Sequence, residues 1–258
     1  MLCTSGGLYG AQVLRRLLDC DRVALVGIVR STRVLDARYG FVRGACEQVR
    51  RSGFPYSVYL LCATSLWEWL GGRATGGAVP DLAGARGIPL WATRDVNDRA
   101  GCEFIEKLKP DLLVSAFFNQ RLREAALAIP SCGAVNIHPS LLPDFKGTDP
   151  VFHAWLSGAR RLGVTVHRMV PQLDAGQILA QRAVPLPADA SLFEATARLF
   201  DSGAQLLIES LESIEQGNSG TAQGSGGRYD SWPTRHQVAQ LRAQGRRLVR
   251  TADLIGGP

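Results

Sequence analysis

An α/β fold is what the residue pattern of this chain predicts: an open, mostly parallel sheet with helices on both faces and an antiparallel excursion near the C-terminal end. Two observations carry that expectation. As far as Gly158, short apolar runs rich in β-branched residues alternate with helical spacings, as in a parallel α/β sheet. Beyond it, two alternating runs follow each other too closely to enclose a crossover helix, so they suit antiparallel pairing.

The chain opens on Met1-Leu2-Cys3-Thr4, only a stub where such a sheet needs its first strand. Either that strand is very short or the natural chain begins upstream. Gly10 to Leu18 is helical, with Val13, Leu14, Leu17 and Leu18 apolar, and Val23 to Val29 reads as a strand. Ile88 to Trp91, Leu112 to Ala116 and Ala134 to His138 are short buried strands. Phe104 to Leu108 and Leu122 to Ala128 are the helices between them, a Rossmann-like order. Asp149-Pro150 starts a helix, with Asp as its N-cap and Pro in its first turn, and Gly158 stops it. Val164 to Val170 and Gln177 to Leu186 are the antiparallel strands, and Leu192 to Ile214 is a long amphipathic helix. Gly71 to Gly87 reads as a glycine-rich loop and Gly217 to Gly227 as a flexible boundary. Residues 1–219 are thus expected to form one domain, and 220–258 a short basic tail.

With 258 residues, 46% apolar and 20% charged, the chain is globular and can build a core without disulfides. Its six cysteines (Cys3, Cys20, Cys46, Cys62, Cys102, Cys132) show neither Cys-x-x-Cys nor Cys/His metal spacing. Reduced thiols in the cytoplasm and no bound metal are therefore expected, and no cationic leader precedes an apolar segment. The most apolar stretch, Pro55 to Leu70, is shorter than the ~20 residues a bilayer span takes. It leaves three readings: a buried helix, a contact between copies of the chain, or an interfacial helix. Net charge is +6, and from Gly220 onward Arg228, Arg235, Arg242, Arg246, Arg247 and Arg250 face only Asp230 and Asp253. No aromatic interleaving accompanies these arginines, which favours a solvated helix face over a phosphate or RNA contact. Tyr229-Asp230-Ser231-Trp232-Pro233 combines apolar surface with a rigid turn and is expected to pack back on the main domain.

The most informative stretch is Asn136-Ile137-His138-Pro139-Ser140-Leu141-Leu142-Pro143, followed by Leu173-Asp174-Ala175-Gly176, whose aspartate lies 36 residues after the histidine. Asn136 and His138 stand two apart, so on a strand they project from the same face. An amide can hydrogen-bond a developing oxyanion, an imidazole can handle a proton, and a carboxylate can hold and tune the imidazole.

From Pro110-Asp111-Leu112-Leu113-Val114-Ser115-Ala116 through the Asn-x-His-Pro-Ser-Leu-Leu-Pro motif to Leu-Asp-Ala-Gly, the chain resembles the catalytic domain of the folate-dependent formyltransferases. That family includes glycinamide ribonucleotide transformylase, methionyl-tRNA formyltransferase and the sugar N-formyltransferases. The resemblance implies transfer of formyl from 10-formyltetrahydrofolate to a primary amine. Asn136 would bond the oxyanion, His138 would donate or relay a proton, and Asp174 would orient the imidazole. It also implies that the folate lies along Phe117 to Leu122 and the loop before Asp174. It would be held chiefly by backbone at Phe118, Gln120, Arg121, Leu122, Val170 and Leu173.

On the amine side, Ser5-Gly6-Gly7 precedes a helix, and Gly6 and Gly7 could bind an anion there, although the Gly-Ser-Asn of the purine enzyme is absent. Lys146 could pair an acidic group, and Asp149 either contacts substrate or serves only as the N-cap. His153 lies on a helix and reads as structural; His167 faces either the site or the core. The segment after the catalytic part is too short for the RNA-binding barrel of the tRNA enzyme, and the altered amino-terminal loop disfavours the purine enzyme. The expected partner is a small-molecule amine: an amino sugar, an amino acid or a natural-product amine. A 10-formyltetrahydrofolate hydrolase, or a folate- or nucleotide-binding protein without turnover, are the alternatives.

Overall fold

The protein, described here as a computed structural model over residues 1–35, 38–71 and 77–255, is built around a seven-stranded sheet of order β3-β2-β1-β4-β5-β7-β8. The strands are β1 (Leu2–Thr4), β2 (Ile28–Ser31), β3 (Leu90–Thr93), β4 (Leu113–Ala116), β5 (Ala134–His138), β7 (Gly163–Arg168) and β8 (Ile178–Ala183). β1 to β5 pair in parallel, and β5-β7 and β7-β8 are antiparallel. A separate ribbon joins β6 (Lys146–Gly147) to β9 (Tyr229–Asp230).

Side chains alternate across each strand and so feed two cores. Leu2, Ile28, Val114, Val135, Ile137, Val164 and Val166 turn to one face, where α1 (Gly7–Leu18) and α7 (Leu192–Glu215) cover them. Cys3, Val29, Leu113 and Ala134 turn to the other, under α4 (Arg99–Leu108) and α5 (Glu124–Leu127).

Several boundaries differ from the sequence reading. The second strand runs over Ile28–Ser31 rather than from Val23, because its register pairs Leu2 with Ile28 and leaves Val23 to Val26 without a strand partner. β3 moves with it, since Ile28 pairs with Leu90. α4 begins at Arg99 because the Asp98 carboxylate accepts the Gly101 N–H at 2.7 Å. α5 is a single turn, its start delayed to Glu124 while the Arg123 N–H is bonded to Asn97. Of the glycine-rich stretch expected at Gly71 to Gly87, residues 72–76 lie outside the described residues. Its second half is not a loop but helix α3 (Val79–Ala85), with Pro80 in the first turn and Asp81 accepting the Ala78 N–H. The short first strand, β5, the Asp149-capped helix α6 (Pro150–Leu156) and the antiparallel pair match expectation.

The apolar stretch from Pro55 lies on α2 (Phe41–Leu61), which breaks at Gly53 (φ 82°), re-forms around Pro55 and continues as a π-helical segment, Cys62–Gly71. One side buries Tyr56, Tyr59, Ala63 and Trp67 in the core, while Phe54, Leu61 and Trp69 face outward. Among the described residues no helix is long and apolar enough to cross a membrane.

Residues beyond α7 pack against the rest of the chain. Trp232 meets Tyr56 edge-on, the Ser231 carbonyl lies 2.9 Å from the His153 ring, and Val238 and Leu241 on α8 (Arg235–Ala243) are buried. Of the arginines of this region, Arg228, Arg235, Arg242 and Arg247 are exposed, as expected of a solvated surface, and Arg228 pairs with Asp230 there. Arg246 and Arg250 depart from it: Arg246 sits over the Trp155 ring, and Arg250 is gripped by Asp189, Glu194 and Asp253, the last on helix α9 (Thr251–Ile255).

Candidate active site

Alternation places the site. Val135 and Ile137 face α7, so Asn136 and His138 must face the other way, at the C-terminal end of β5. β7 runs antiparallel beside it, pairing Asn136 with His167 and His138 with Thr165. Directly opposed residues share a face, which brings the second histidine to the first.

The hydrogen bonds assign the tautomers. His167 Nδ1 lies 2.8 Å from the Arg168 carbonyl, which can only accept, so Nδ1 carries the hydrogen. Its Nε2 is then an acceptor, and Asn136 Nδ2 donates to it at 3.2 Å. Burial above all, and then the neighbouring His138, push the His167 ring down to about 4 from its ordinary 6.5, so it is neutral near pH 7. Asn136 spends one N–H on this ring and keeps a second to offer. His138 Nε2 lies 3.0 Å from the Phe145 carbonyl, so that nitrogen carries hydrogen and Nδ1 is the one turned to Asp174.

Asp174 arrives from the β7–β8 link in the left-handed region, at φ 51°. Its Oδ2 accepts the Gly147 N–H at 2.9 Å, while Oδ1 stands 3.7 Å from His138 Nδ1 and 3.9 Å from His167 Nε2. Both separations exceed hydrogen-bond length, so Oδ1 stands near two rings and is bonded to neither. Gly147 (φ 117°) has to be glycine, because a Cβ there would strike the Asp230 carbonyl. His138, His167 and Asp174 offer donor atoms within 4.8 Å of one another, close enough to consider a divalent cation. Such an ion would displace the Asn136 bond from His167.

The other predicted residues fall in different places. Phe118 and Leu122 pack into the core under α4 and α5. The Gln120 side chain also points inward, bonding Val96, Ser31 and Thr93, which leaves its backbone for a ligand. Arg121 is exposed and lines a cleft of about 530 Å³ with Arg33, Asp95, Asn97, Arg123 and Pro171, next to exposed Val170 and Leu173. A larger cleft of about 710 Å³ lies behind the Ser140 to Phe145 turn, lined also by residues 157–162, and none of Asn136, His138 and Asp174 lines it. Lys146 is close enough for its charge to help lower the His167 pKa. Asp149 is buried, accepting the Phe152 N–H at 3.2 Å and the Tyr56 hydroxyl at 2.7 Å. Burial pushes its carboxyl above the ordinary range; the first bond caps α6 and the second ties the helix start to α2.

Gly6 and Gly7 do form the turn into α1, at φ 80° and 65°. The helix N-terminus there is filled by the protein itself: Glu68 Oε1 accepts the Gly7 N–H at 2.9 Å, and Arg30 pairs with Glu68 Oε2 at 2.6 Å. Neither the orientation of His167 nor the role of Glu68 is signalled by the local sequence, because both depend on partners distant in the chain.

This fold and this site define a class. The chain belongs to the formyl transferase family, whose sequence model matches residues 68–211, more than half of its length. It is 42% identical over 147 residues to the methionyl-tRNA formyltransferase of Roseiflexus sp. (strain RS-1), a stretch covering 57% of this chain and 45% of that protein. The chain thus spans about half the length of the curated relatives it matches. Among solved structures it is similar to phosphoribosylglycinamide formyltransferase from Streptococcus pneumoniae TIGR4, with a TM-score of 0.55 and 20% identity over 83% of this chain and 97% of that one. A formyltransferase from Anoxybacillus kamchatkensis, solved with UDP-4,6-dideoxy-4-formamido-L-AltNAc and tetrahydrofolate, gives a TM-score of 0.52 at 24% identity over 69% of this chain and 93% of that one. At these identities the likeness to the solved structures is one of fold.

Proposed function

We propose that this chain transfers a formyl group from 10-formyltetrahydrofolate to the primary amine of a small molecule such as an amino sugar, an amino acid or a natural-product amine. The observation that carries the proposal is the convergence of Asn136, His138 and Asp174, with His167, at the C-terminal edge of the sheet in a member of the formyl transferase family. The amine nitrogen attacks the formyl carbon, whose oxygen becomes an oxyanion. Asn136 offers that oxygen its second N–H, a contribution typically of ~3 kcal/mol. The bond from the formyl carbon to folate N10 then breaks. The amine loses one proton and N10 gains one, and His138 Nδ1 and the Asp174 carboxylate lie in position to carry it. The products are a formamide and tetrahydrofolate.

The folate would lie along Phe117 to Leu122 and across exposed Val170 and Leu173, where the cleft at Arg121 supports it. A small acceptor is supported by Arg246 and Arg250, which are engaged within the chain, over Trp155 and against Asp189, Glu194 and Asp253. Six unpaired cysteines accord with a cytoplasmic setting. Identity to methionyl-tRNA formyltransferases favours a second reading, in which the amine is that of methionyl-tRNA. Incubation with 10-formyltetrahydrofolate and either a panel of small amines or methionyl-tRNA, followed by mass spectrometry, separates the two. Tetrahydrofolate released at the same rate without any amine would indicate a hydrolase and overturn the proposal.

A further inference from the structure

The segment that leaves α7 returns along the outer edge of the sheet, beside the start of β8. Thr221 exchanges backbone hydrogen bonds with Ile178 at the start of β8, both 2.8 Å. Two residues on, Gln223 Nε2 donates to the Asp174 carbonyl at 2.9 Å and to the Gly176 carbonyl at 2.7 Å. Further along, β9 pairs with β6 and the Thr148 N–H donates to the Asp230 carbonyl, which fixes the Gly147 N–H that holds Asp174 Oδ2.

We infer that Gln223 is a positioning residue for the Asp174 carboxylate. Two carbonyls of one tight turn have to point the same way to be gathered by a single NH2 group, and a primary amide has the two hydrogens this needs. The turn is one the chain would not adopt unaided. Asp174 sits at positive φ, and Gly176 lies so close to the Arg168 carbonyl that a Cβ would collide. Gln223 Oε1 is buried without a hydrogen-bond partner among the described residues, so the polar contacts of this side chain there are its two donated bonds. Release of that clamp would let the turn relax and swing Oδ1 away from His138 and His167, while the folate-facing Phe117 to Leu122 segment, which carries none of the clamped carbonyls, stays in place. The catalytic part of this inference rests on the proposed role of Asp174; the geometric part does not.

The test compares wild type with Gln223→Met, which keeps the length and loses both donors, with Gln223→Asn, which keeps the donors on a shorter stem, and with Thr221→Ala, whose backbone bonds remain. In Gln223→Met the 15N–1H resonance of the Gly147 amide should move, reporting loss of its carboxylate acceptor. In the same variant kcat should fall roughly 10–100-fold, well beyond any change in KM for folate and with the melting temperature nearly unchanged, because misplacement by about 1 Å suffices for such a loss. Gln223→Asn should lie between the two and Thr221→Ala should match wild type. A still Gly147 resonance with kcat within about twofold of wild type overturns the inference, as does a kcat loss matched by equal losses in folate affinity and melting temperature. If wild type transfers no formyl but the Gly147 resonance moves in Gln223→Met, the clamp stands and the proposed activity fails.

Discussion

Asn136 and His167 are cross-strand partners: they face each other in the β5–β7 register, and the Asn136 amide donates to His167 Nε2 at 3.2 Å. A neutral ring therefore orients the amide that would meet the oxyanion. His167→Ala should leave Asn136 free to rotate and lower kcat about 10–100-fold, with little effect on folate binding. Unchanged kcat in a folded His167→Ala protein would remove the ring from the site's machinery.

The same ring sets a pH dependence of stability. Burial lowers its folded pKa from 6.5 to about 4, so between those values the unfolded chain holds the extra proton. The stability from this group is complete above pH 6.5, declines as pH falls toward 4, and is worth up to about 3 kcal/mol. Denaturant titrations of wild type and His167→Gln over this window should diverge, with the variant the less acid-sensitive. Parallel curves would contradict the assignment of a neutral buried ring.

Asp149 is expected to serve folding and not chemistry. Asp149→Ala removes a helix cap and the acceptor of the buried Tyr56 hydroxyl, together worth ~2–4 kcal/mol of stability. The folded fraction should keep its KM for amine. A KM increase without loss of stability would return Asp149 to the substrate site.

Glu68 stands where an anion would otherwise meet the N-terminus of α1. Glu68→Ala should expose the Gly7 N–H and free Arg30, so that millimolar phosphate raises the melting temperature of the variant and not of wild type. Equal stabilisation of both would mean that the carboxylate excludes nothing.

Legibility followed the range of the interaction. Asn136 and His138 can be read because their shared face depends only on a two-residue spacing, and Asp149 because a cap is local. His167 stays ambiguous in the sequence because its partner is chosen by the pairing of β5 with β7, a non-local register. Glu68 and Gln223 carry no local signal: their bonds span 61 residues to Gly7 and 49 to Asp174. Strand ends shifted for the same reason, since Ile28 rather than Val23 is where β2 finds β1. In the arginine-rich tail, Arg246 and Arg250 depart from a solvated face because Trp155, Asp189 and Glu194, which engage them, lie far back in the chain.

The most direct measurement follows the formyl group itself. 10-Formyltetrahydrofolate labelled with 13C at the formyl carbon is incubated with the amine panel and with wild type, Asn136→Ala, His138→Ala or Asp174→Asn protein. Wild type should place the label on an amine as a formamide, with one tetrahydrofolate released per transfer. Asn136→Ala should lose roughly 2.7–4 kcal/mol of transition-state stabilisation, and the His138 and Asp174 variants should lose turnover by orders of magnitude while still binding folate. Label recovered only as formate, or transfer at near wild-type kcat in folded Asp174→Asn, would contradict the proposed mechanism.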